Sequence, residues 1–269
     1  MDKPVQIGLL GCGTVGSGVV SILQANAERI AARAGAPLRV RWVAVRDPRK
    51  SRSVSLDPGI VTADPWQVVA DPEVDVVVEL MGGVDPAREL IAAALQRGKP
   101  VVTANKEVLA KHGPELLGLA AEHGVDLLFE GSVGGGIPII KPLRESLAAN
   151  RVQAIVGIIN GTTNYMLTRM SREGMPFDQV LREAQALGYA EADPASDVEG
   201  YDAAFKIAIL AALAFETPVR VEDVYCEGIT RITPEDIRYG RELGYEIKLL
   251  AIAREQDGRL EVRVHPAFI

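Results

Sequence analysis

The chain has 269 residues, a formal net charge of -7 at neutral pH and 48% hydrophobic residues. This length accommodates one large domain or two modest ones, and the acidic balance argues against a nucleic-acid partner, which would require a basic patch. Two cysteines cannot form a disulfide framework, so we expect a reducing cytoplasm. The opening residues, MDKPVQIG, lack the apolar segment of a signal peptide. No apolar run in the sequence approaches the roughly 18 residues of a membrane span.

The first predicted strand, Val5 to Leu10, leads into a glycine-rich turn and a predicted helix. Gly11, Gly13 and Gly16 form a G-x-G-x-x-G pattern between them, the dinucleotide-binding fingerprint when a strand precedes it and a helix follows. The first glycine permits the tight turn, the second lets the backbone approach a pyrophosphate, and the third lets helix and strand pack closely. Apolar residues then return at helical spacing: Val15, Val19, Ile22 and Leu23.

The helix start supplies free N–H groups to phosphates, so we predict cofactor contacts along the whole turn. The predicted contact residues are Gly11, Cys12, Gly13, Thr14, Val15 and Gly16. As a side chain, Cys12 is expected to be a small packing residue.

The second predicted strand, Leu38 to Val45, ends in charged residues. A carboxylate here would bind the ribose hydroxyl of NAD, and Asp47 keeps that cofactor possible. Arg46 comes first, and a guanidinium can pair with a phosphate through two hydrogen bonds. The sequence therefore favours NADP(H), with NAD(H) possible. A solvated basic turn is the alternative, because charge runs usually face water.

Strands and helices keep alternating through the first half of the chain, which predicts a parallel, doubly wound sheet. The predicted elements are strand 74–80, helix 87–96, strand 100–103, helix 115–123 and strand 125–129. Asn105 can cap a following helix. Two segments that follow strands, 81–83 and 103–106, are expected to line a cofactor or substrate cleft.

The pattern changes at the glycine-rich segment EGSVGGGIPIIKPL, residues 130–143. We place the domain boundary there, with a dinucleotide-binding domain at 1–131 and an α+β domain at 132–269. The second domain is predicted to contain strand 152–159, a helix starting in NGTTNYML, helices 177–187 and 202–215, and strands 224–229, 247–253 and 260–264. Asp257-Gly258 is a hairpin signal between the last two strands.

The segment YAEADPASDVEGYDAAFK, residues 189–206, concentrates ionisable side chains. Asp202 and Lys206 are four residues apart and share one face of a helix, ahead of the apolar run Ile207 to Ala214. Taken alone, this spacing favours an ordinary surface ion pair. The alternative is a lysine that serves proton transfer at the solvent-facing end of a buried helix.

Six motifs occur in order from about Gly8 to Phe268: GCGTVG, ELMGG, TANKE, EGSVGGGIP, INGTTNYML and LGYAEADPASDVEGYDAAFK. Together they resemble homoserine dehydrogenases. The resemblance implies a Rossmann-type domain followed by an α+β substrate and dimerisation domain. It also implies a cytoplasmic, NAD(P)-dependent oxidoreductase that interconverts L-homoserine and L-aspartate 4-semialdehyde, on the route to threonine, methionine and isoleucine.

The resemblance also assigns roles to individual residues. Lys206 would be the proton donor in reduction and the base in oxidation, with Asp202 as its partner carboxylate. Glu191 and Asp197 would form the acidic part of the substrate pocket, with Glu191 holding the substrate's amino group. Lys106 would lie on the side of both substrate and cofactor.

The same resemblance places Thr103 and Gly188 near the nicotinamide. It further implies a monovalent cation, commonly sodium, bound mostly through backbone carbonyl groups. Its ligands would be Glu130, Val133, Gly135 and Ile137, whereas the residues taken alone favour a plain hinge. A homodimer formed through the second domain is also expected.

The family pattern continues beyond the final residues HPAFI. We therefore expect unpaired edge strands in the second sheet and predict no threonine feedback through a regulatory ACT domain. Two alternative functions stay open. One is another two-domain Rossmann dehydrogenase that acts on a sugar or amino-acid aldehyde. The other is a non-catalytic dinucleotide-binding module, whose hallmark would be the loss of Lys206 or Asp202, and both residues are present.

Overall fold

The computed structural model of the chain describes residues 3–269. Contacts between Cα atoms divide the chain into two compact units, Met1–Gly136 and Ile137–Ile269. The predicted boundary after residue 131 lies in the same glycine-rich segment, a few residues earlier. Each unit contains its own sheet.

The first unit is a six-stranded parallel sheet. Its strands are β1 (Val5–Leu10), β2 (Leu38–Ala44), β3 (Val61–Thr62), β4 (Val76–Glu79), β5 (Val101–Thr103) and β6 (Leu127–Leu128). Its helices are α1 (Thr14–Ala25), α2 (Ala27–Ala34), α3 (Pro65–Ala70), α4 (Ala87–Gln96) and α5 (Lys106–Glu122). The strand order β3-β2-β1-β4-β5-β6 is that of a doubly wound dinucleotide-binding sheet. The predicted fold class is confirmed, and the glycine turn after β1 lies where the order reverses.

The central strands carry continuous apolar runs because a parallel sheet is covered on both faces. Leu9 in β1 and Val43 in β2 are almost completely buried. They belong to a core cluster that also contains Ile7, Cys12, Val20 and Val78. This packing anchors the glycine turn to the most buried part of the sheet.

Helix α1 buries only part of its apolar residues. Val15 and Ile22 are 58% and 59% exposed, whereas the helix buries Gly16, Ser17 and Val20. Small residues on the sheet side let the helix axis approach β1 closely, and Val20 is buried beside them. Of the apolar residues at the predicted helical spacing, Leu23 packs against the core cluster, whereas Val15 and Ile22 face solvent.

Helix α5 is continuous, although the sequence predicted a separate helix at 115–123. It runs from Lys106 to Glu122 with Pro114 in its interior. A proline there removes one backbone hydrogen bond and strains the turn before it. The buried face on both sides of the proline, which includes Val108 and Leu116, offsets that cost by tertiary packing.

The second unit is a mixed four-stranded sheet with helices. Its strands are β7 (Ala154–Gly157), β8 (Tyr225–Cys226), β9 (Ile247–Gln256) and β10 (Arg259–Phe268). Its helices are α6 (Gly161–Glu173), α7 (Phe177–Ala186), α8 (Ala195–Val198), α9 (Tyr201–Ala214) and α10 (Pro234–Glu242). The strand order is β7-β9-β10-β8. Strand β8 is much shorter than the predicted strand 224–229.

The hairpin of β9 and β10 turns at the predicted dipeptide. Asp257 and Gly258 both have positive φ angles, 52° and 73°, as a two-residue type I′ turn requires. The strands pair in register from Arg259–Gln256 to Phe268–Ile247. Strands β7 and β8 form the two edges of the sheet.

Helix α9 is the apolar centre of the second unit. It buries eight of its residues and contacts both β9 and β10. With 14 residues it is a core helix. Within residues 3–269, no helix is long and apolar enough to cross a membrane.

A partly buried charge cluster stabilises the first unit near the end of α3. Asp71 Oδ2 accepts hydrogen bonds from Arg41 Nε at 2.7 Å and from Trp42 Nε1 at 2.6 Å. Its Oδ1 accepts from the Glu73 backbone N–H at 2.8 Å. Partial burial opposes ionisation, but these hydrogen bonds outweigh it and lower the pKa of Asp71 to about 2. The buried Lys99 ammonium donates to the Val69 and Asp71 carbonyls beside it.

Replacing this carboxylate should destabilise the fold. Asp71→Asn is expected to lower the free energy of unfolding by about 2 kcal/mol at neutral pH, because the lowered pKa of Asp71 favours the ionised native state by that amount. The folded pKa lies below the unfolded one. The stabilisation is therefore complete above about pH 4 and is lost as the pH falls towards about 2.

Urea denaturation of wild type and variant at both ends of this pH range measures the effect. The exposed Asp126 provides the control substitution Asp126→Asn, which should change little. Equal stability of wild type and Asp71→Asn at neutral pH would contradict the assignment.

Candidate active site

Two of the three glycines in the turn after β1 are required by the fold itself. Gly11 has φ 94°, and its N–H donates to the Ala44 carbonyl at 2.9 Å. A Cβ on Gly11 would lie 2.6 Å from the Leu80 carbonyl oxygen. A Cβ on Gly16 would lie 2.3 Å from the Gly11 carbonyl oxygen. Both positions therefore exclude side chains for reasons internal to the protein.

Gly13 differs from its two neighbours in the motif. Its backbone is extended, with φ -82° and ψ -150°, which any residue can adopt. Among the described residues, no atom beyond its chain neighbours would lie within 4 Å of an added Cβ. The fold does not require a glycine here, whereas a pyrophosphate approaching the start of α1 would.

The other residues of the turn fit the predicted division between packing and contact. Cys12 is buried, with its Sγ 3.6 Å from Ser17 Oγ. Thr14 and Val15 are exposed at the first turn of α1. The turn is therefore held in the core by the side chain of Cys12, while its residues Thr14 and Val15 are accessible to solvent.

The basic turn after β2 is held together by its own side chains. Asp47 Oδ1 accepts from the Arg49 N–H at 2.9 Å. Arg52 donates to the carbonyls of Asp47 and Lys50 at 2.7 and 2.6 Å. Arg46 is exposed, and its side chain has no hydrogen bond or ion pair within residues 3–269. This arrangement is consistent with a contact to the phosphate of NADP(H) and also with a solvated basic turn, so the phosphate contact of Arg46 stays a prediction.

A buried carboxylate that sequence reasoning missed joins the ends of β4 and β5. Glu79 is fully buried and accepts from Thr103 Oγ1 at 2.6 Å and from the Met81 N–H at 2.7 Å. Thr103 Oγ1 in turn accepts from the Asn105 N–H at 2.9 Å. The hydroxyl of Thr103 thus donates to Glu79 and accepts from the loop backbone, and its placement near the nicotinamide stays a prediction. In the sequence, the signal for this buried carboxylate was the one glutamate within the predicted strand 74–80, which is apolar apart from Asp75 and Glu79.

Lys106, predicted at the substrate, is the first residue of α5 in the first unit. Asn105 caps this helix as expected, since its Oδ1 accepts from the Val108 N–H at 3.2 Å. Its Nδ2 donates to the Gly83 carbonyl at 2.7 Å, which ties the two predicted cleft segments together.

The pair of Lys206 and Asp202 lies in the second unit and is largely buried. Lys206 Nζ is 2.6 Å from Asp202 Oδ2, and the two side chains are 17% and 5% exposed. Nζ also donates to the Ile159 carbonyl at 2.9 Å. This burial argues against the surface ion pair that the spacing alone favoured. Asp202 lies in the first turn of α9, where the helix dipole favours a negative charge.

An ammonium carries three N–H groups. The two acceptors of Lys206 use two of them and leave one for a further acceptor, such as a substrate oxygen. Lys206 can therefore donate a hydrogen bond to a further oxygen.

Asp197 joins this pair through a residue that sequence reasoning placed only at a helix start. Asn160 Nδ2 donates to Asp197 Oδ1 at 2.7 Å and to Asp202 Oδ2 at 2.9 Å. The structure thus brings together Asp197, Asp202 and Lys206. In the sequence, the available signal for this link was Asn160, the first of the two asparagines in the motif INGTTNYML.

Among residues 3–269, no hydrogen bond links two other predicted residues of the second unit to this cluster. Gly188 has φ 76°, and its N–H donates to the Gln185 carbonyl just after the end of α7. Glu191 is exposed, and its carbonyl accepts from Gln185 Nε2 at 3.0 Å. No hydrogen bond within the described chain connects the Glu191 carboxylate to Lys206. Their roles at cofactor and substrate stay predictions.

The predicted cation ligands lie in the glycine-rich segment at the boundary of the two units. Glu130 opens a short 3-10 turn, and Ser132 donates through its N–H and its hydroxyl to the Phe129 carbonyl. Within residues 3–269, the carbonyls of Val133 and Gly135 accept no hydrogen bond. Carbonyl oxygens and one carboxylate are suitable ligands for a hard cation. Ile137 is the first residue of the second unit.

Comparison with known proteins gives a consistent result in both units. Residues 11–130 match the family model described as "Homoserine dehydrogenase, NAD binding domain", and residues 138–269 match the model described as "Homoserine dehydrogenase". A solved homoserine dehydrogenase from S. aureus is 38% identical, with a TM-score of 0.87, over 99% of this chain and 67% of that chain. The chain belongs to the homoserine dehydrogenase family.

Other members of the family support this assignment. The homoserine dehydrogenase of Synechocystis is 55% identical over 98% of this chain. A hyperthermophilic archaeal homoserine dehydrogenase, solved in complex with NADPH, is 27% identical with a TM-score of 0.81, over 99% of this chain and 82% of that chain. The chain spans 62% of the length of the Synechocystis relative.

The contrast between the glycines gives a test of the nucleotide site. Gly13→Ala should keep the stability within about 1 kcal/mol, the range of a changed helix cap, but weaken NADP(H) binding at least about tenfold because the new methyl group occupies the space of the pyrophosphate. Thermal unfolding and fluorescence titration with NADPH measure the two effects.

Gly16→Ala is the matched comparison. Its Cβ would contact the Gly11 carbonyl oxygen, so this variant should lose stability as well as affinity. Unchanged NADPH affinity in a folded Gly13→Ala variant would refute the proposed position of the pyrophosphate.

Proposed function

We propose that the protein is a homoserine dehydrogenase that interconverts L-homoserine and L-aspartate 4-semialdehyde with NAD(P). The pathway would be the synthesis of threonine, methionine and isoleucine. The observation that carries the proposal is the buried pair of Lys206 and Asp202 within a chain of this family. The non-catalytic alternative is disfavoured, since a module without chemistry would not need a buried ammonium with an N–H to spare.

Oxidation of a primary alcohol requires a base for the hydroxyl proton. A bound nicotinamide would supply the hydride acceptor for oxidation and the hydride donor for reduction. Lys206 as a neutral amine takes the hydroxyl proton during oxidation. As an ammonium it gives that proton to the aldehyde oxygen during reduction. The Ile159 carbonyl and the Asp202 carboxylate hold its nitrogen in place.

The acidic residues around this lysine suit an amino-acid substrate. A substrate ammonium needs a carboxylate partner, and we assign that role to Glu191, with Asp197 as the second acidic residue of the pocket. Asp202 acts as the partner of Lys206 beside the substrate hydroxyl. Lys106 is assigned to the substrate and to the cofactor.

For the cofactor we propose NADP(H), with NAD(H) as a second possibility. The match to an NAD binding domain and the relative solved with NADPH support a nicotinamide dinucleotide. The exposed Arg46 after β2 supports binding of the 2′-phosphate. Thr103 and Gly188 are assigned to the surroundings of the nicotinamide ring.

A monovalent cation, with sodium as the first choice, is proposed at the glycine-rich segment. Glu130 and the carbonyls of Val133, Gly135 and Ile137 would hold it. Such an ion would fix the backbone of the glycine-rich segment. Its role would be structural, and no step of the reaction is assigned to it.

A cytoplasmic homodimer completes the proposal. Exposed apolar side chains in the second unit, including Val156, Ile158 and Tyr225, are consistent with an interface there. Two of them belong to β7 and β8, the strands at the edges of the sheet.

The function is tested by nicotinamide absorbance with L-homoserine, in parallel with NADP and NAD. We expect reduction of the cofactor that requires a 2-amino-4-hydroxy acid. Lys206→Ala should lower kcat roughly 100-fold or more, the usual effect of losing a general acid–base, with little change in cofactor affinity.

Lys111→Ala removes a lysine of another i,i+4 pair, on α5 with Glu107, and should keep normal turnover. If Lys206→Ala turns over homoserine at the wild-type rate, the catalytic role is wrong. If the wild-type protein reduces neither cofactor with homoserine, the proposed function itself fails.

Cofactor preference gives a separate prediction for Arg46. Arg46→Ala should raise the dissociation constant of NADPH about tenfold or more, since it removes a charge-assisted contact with the phosphate, and should leave NADH binding nearly unchanged. Fluorescence titration measures both. Arg33→Ala, at the exposed end of α2, is the control for net charge. Equal losses for NADPH and NADH would refute the phosphate contact.

A further inference from the structure

Asn160 connects the two aspartates of the second unit's site. It is 5% exposed and lies between β7 and α6. Its amide nitrogen donates to Asp197 Oδ1 at 2.7 Å and to Asp202 Oδ2 at 2.9 Å. The same oxygen of Asp202 accepts from Lys206 Nζ at 2.6 Å. One amide therefore links carboxylates from α8 and α9 to the ammonium.

The oxygen of the same amide is committed to α6. Asn160 Oδ1 accepts from the Thr163 N–H and from the Thr163 hydroxyl, both at 2.8 Å. The two N–H groups and the two lone pairs of the amide are all used. A half-turn of the amide would bring its NH2 group against the Thr163 N–H, and would turn its oxygen towards two carboxylates. The orientation of the amide is therefore fixed from both sides.

Capping of α6 explains only half of this arrangement. A helix N-cap needs an acceptor, and aspartate, serine or threonine would provide one. Aspartate would also interact favourably with the helix dipole. At position 160, however, it would face Asp197 and Asp202 with a third carboxylate, and like charges in one site destabilise each other. An amide supplies the acceptor for the helix and the donors for the carboxylates.

We infer that Asn160 is a positioning residue for the proton transfer assigned to Lys206. Its N–H groups hold Asp202 where that carboxylate accepts from the lysine, and they keep Asp197 beside it. The inference rests on the proposed function of the pair. Since a misplacement of about 1 Å can cost roughly 100-fold in rate, an amide remote from the reacting carbon can control turnover.

Two substitutions separate the donor role from the cap. Asn160→Asp keeps the capping oxygen and exchanges both donors for a negative charge. Asn160→Ser also keeps a capping oxygen, but its side chain is too short to reach the two aspartates. Asp64→Asn is the matched control, because Asp64 caps α3 in the first unit through the Trp66 N–H. This substitution replaces a capping carboxylate by an amide, which is the reverse of Asn160→Asp.

Both variants at position 160 should lower kcat for homoserine roughly 100-fold and leave the dissociation constant of NADPH unchanged. In Asn160→Asp, protonation of the new carboxyl restores one donor. Its kcat relative to wild type should therefore rise as the pH is lowered, whereas the ratio for Asn160→Ser should stay constant. Asp64→Asn should behave like wild type.

The outcomes distinguish this inference from the function on which it rests. Wild-type kcat in both folded variants would overturn the role of Asn160 and leave the proposed function standing. Absence of homoserine turnover in the wild-type protein would overturn the function. The inference is then decided by carbon-13 NMR of aspartate-labelled protein. Asn160→Asp should show one carboxyl signal that wild type lacks, with a pKa well above the ordinary value of about 4. A new carboxyl that titrates at the ordinary value would overturn the contacts with Asp197 and Asp202 from which the role of Asn160 is inferred.

Discussion

A buried ammonium and a buried carboxylate share one short hydrogen bond in the second unit, and the surrounding elements are arranged to hold that bond. Burying two charges is favourable only when the geometry is good and their remaining hydrogen-bonding groups are satisfied. The Ile159 carbonyl and the Asn160 amide contribute to that condition for Lys206 and Asp202, and the third N–H of Lys206 is left for a substrate oxygen. The chain after β7, the start of α6 and the first turn of α9 therefore have to meet at one point.

In the first unit, the corresponding requirement is that the pyrophosphate of a dinucleotide can approach the backbone at the start of α1. Gly11 and Gly16 are needed for the turn itself, and Gly13 leaves open the space in front of α1. The buried Glu79 fixes the ends of β4 and β5 by accepting from Thr103. In both units the polar groups lie where strands end and helices begin, because free N–H and C=O groups are found there. The apolar cores behind them keep these groups in place.

Sequence reasoning predicted the elements whose pattern is local and strong. The glycine turn, helix 87–96 and the helix carrying Lys206 were correct because periodicity and turn residues specify them within a few positions. It failed where tertiary contacts decide. Pro114 does not end α5, since packing on both sides of it keeps the helix continuous. Asn160 and Asp202 are 42 residues apart in the chain, so the asparagine could be predicted as a cap but not as a donor to aspartates.

The central claim is that the Lys206 amine faces the substrate hydroxyl. The most direct measurement is a crystal structure of the protein with NADP and L-homoserine. The account predicts that Lys206 Nζ lies within hydrogen-bond distance of the hydroxyl oxygen, roughly 2.6–3.2 Å, while still bound to Asp202. A substrate hydroxyl held by another side chain, with the Lys206 amine turned away from it, would contradict the account.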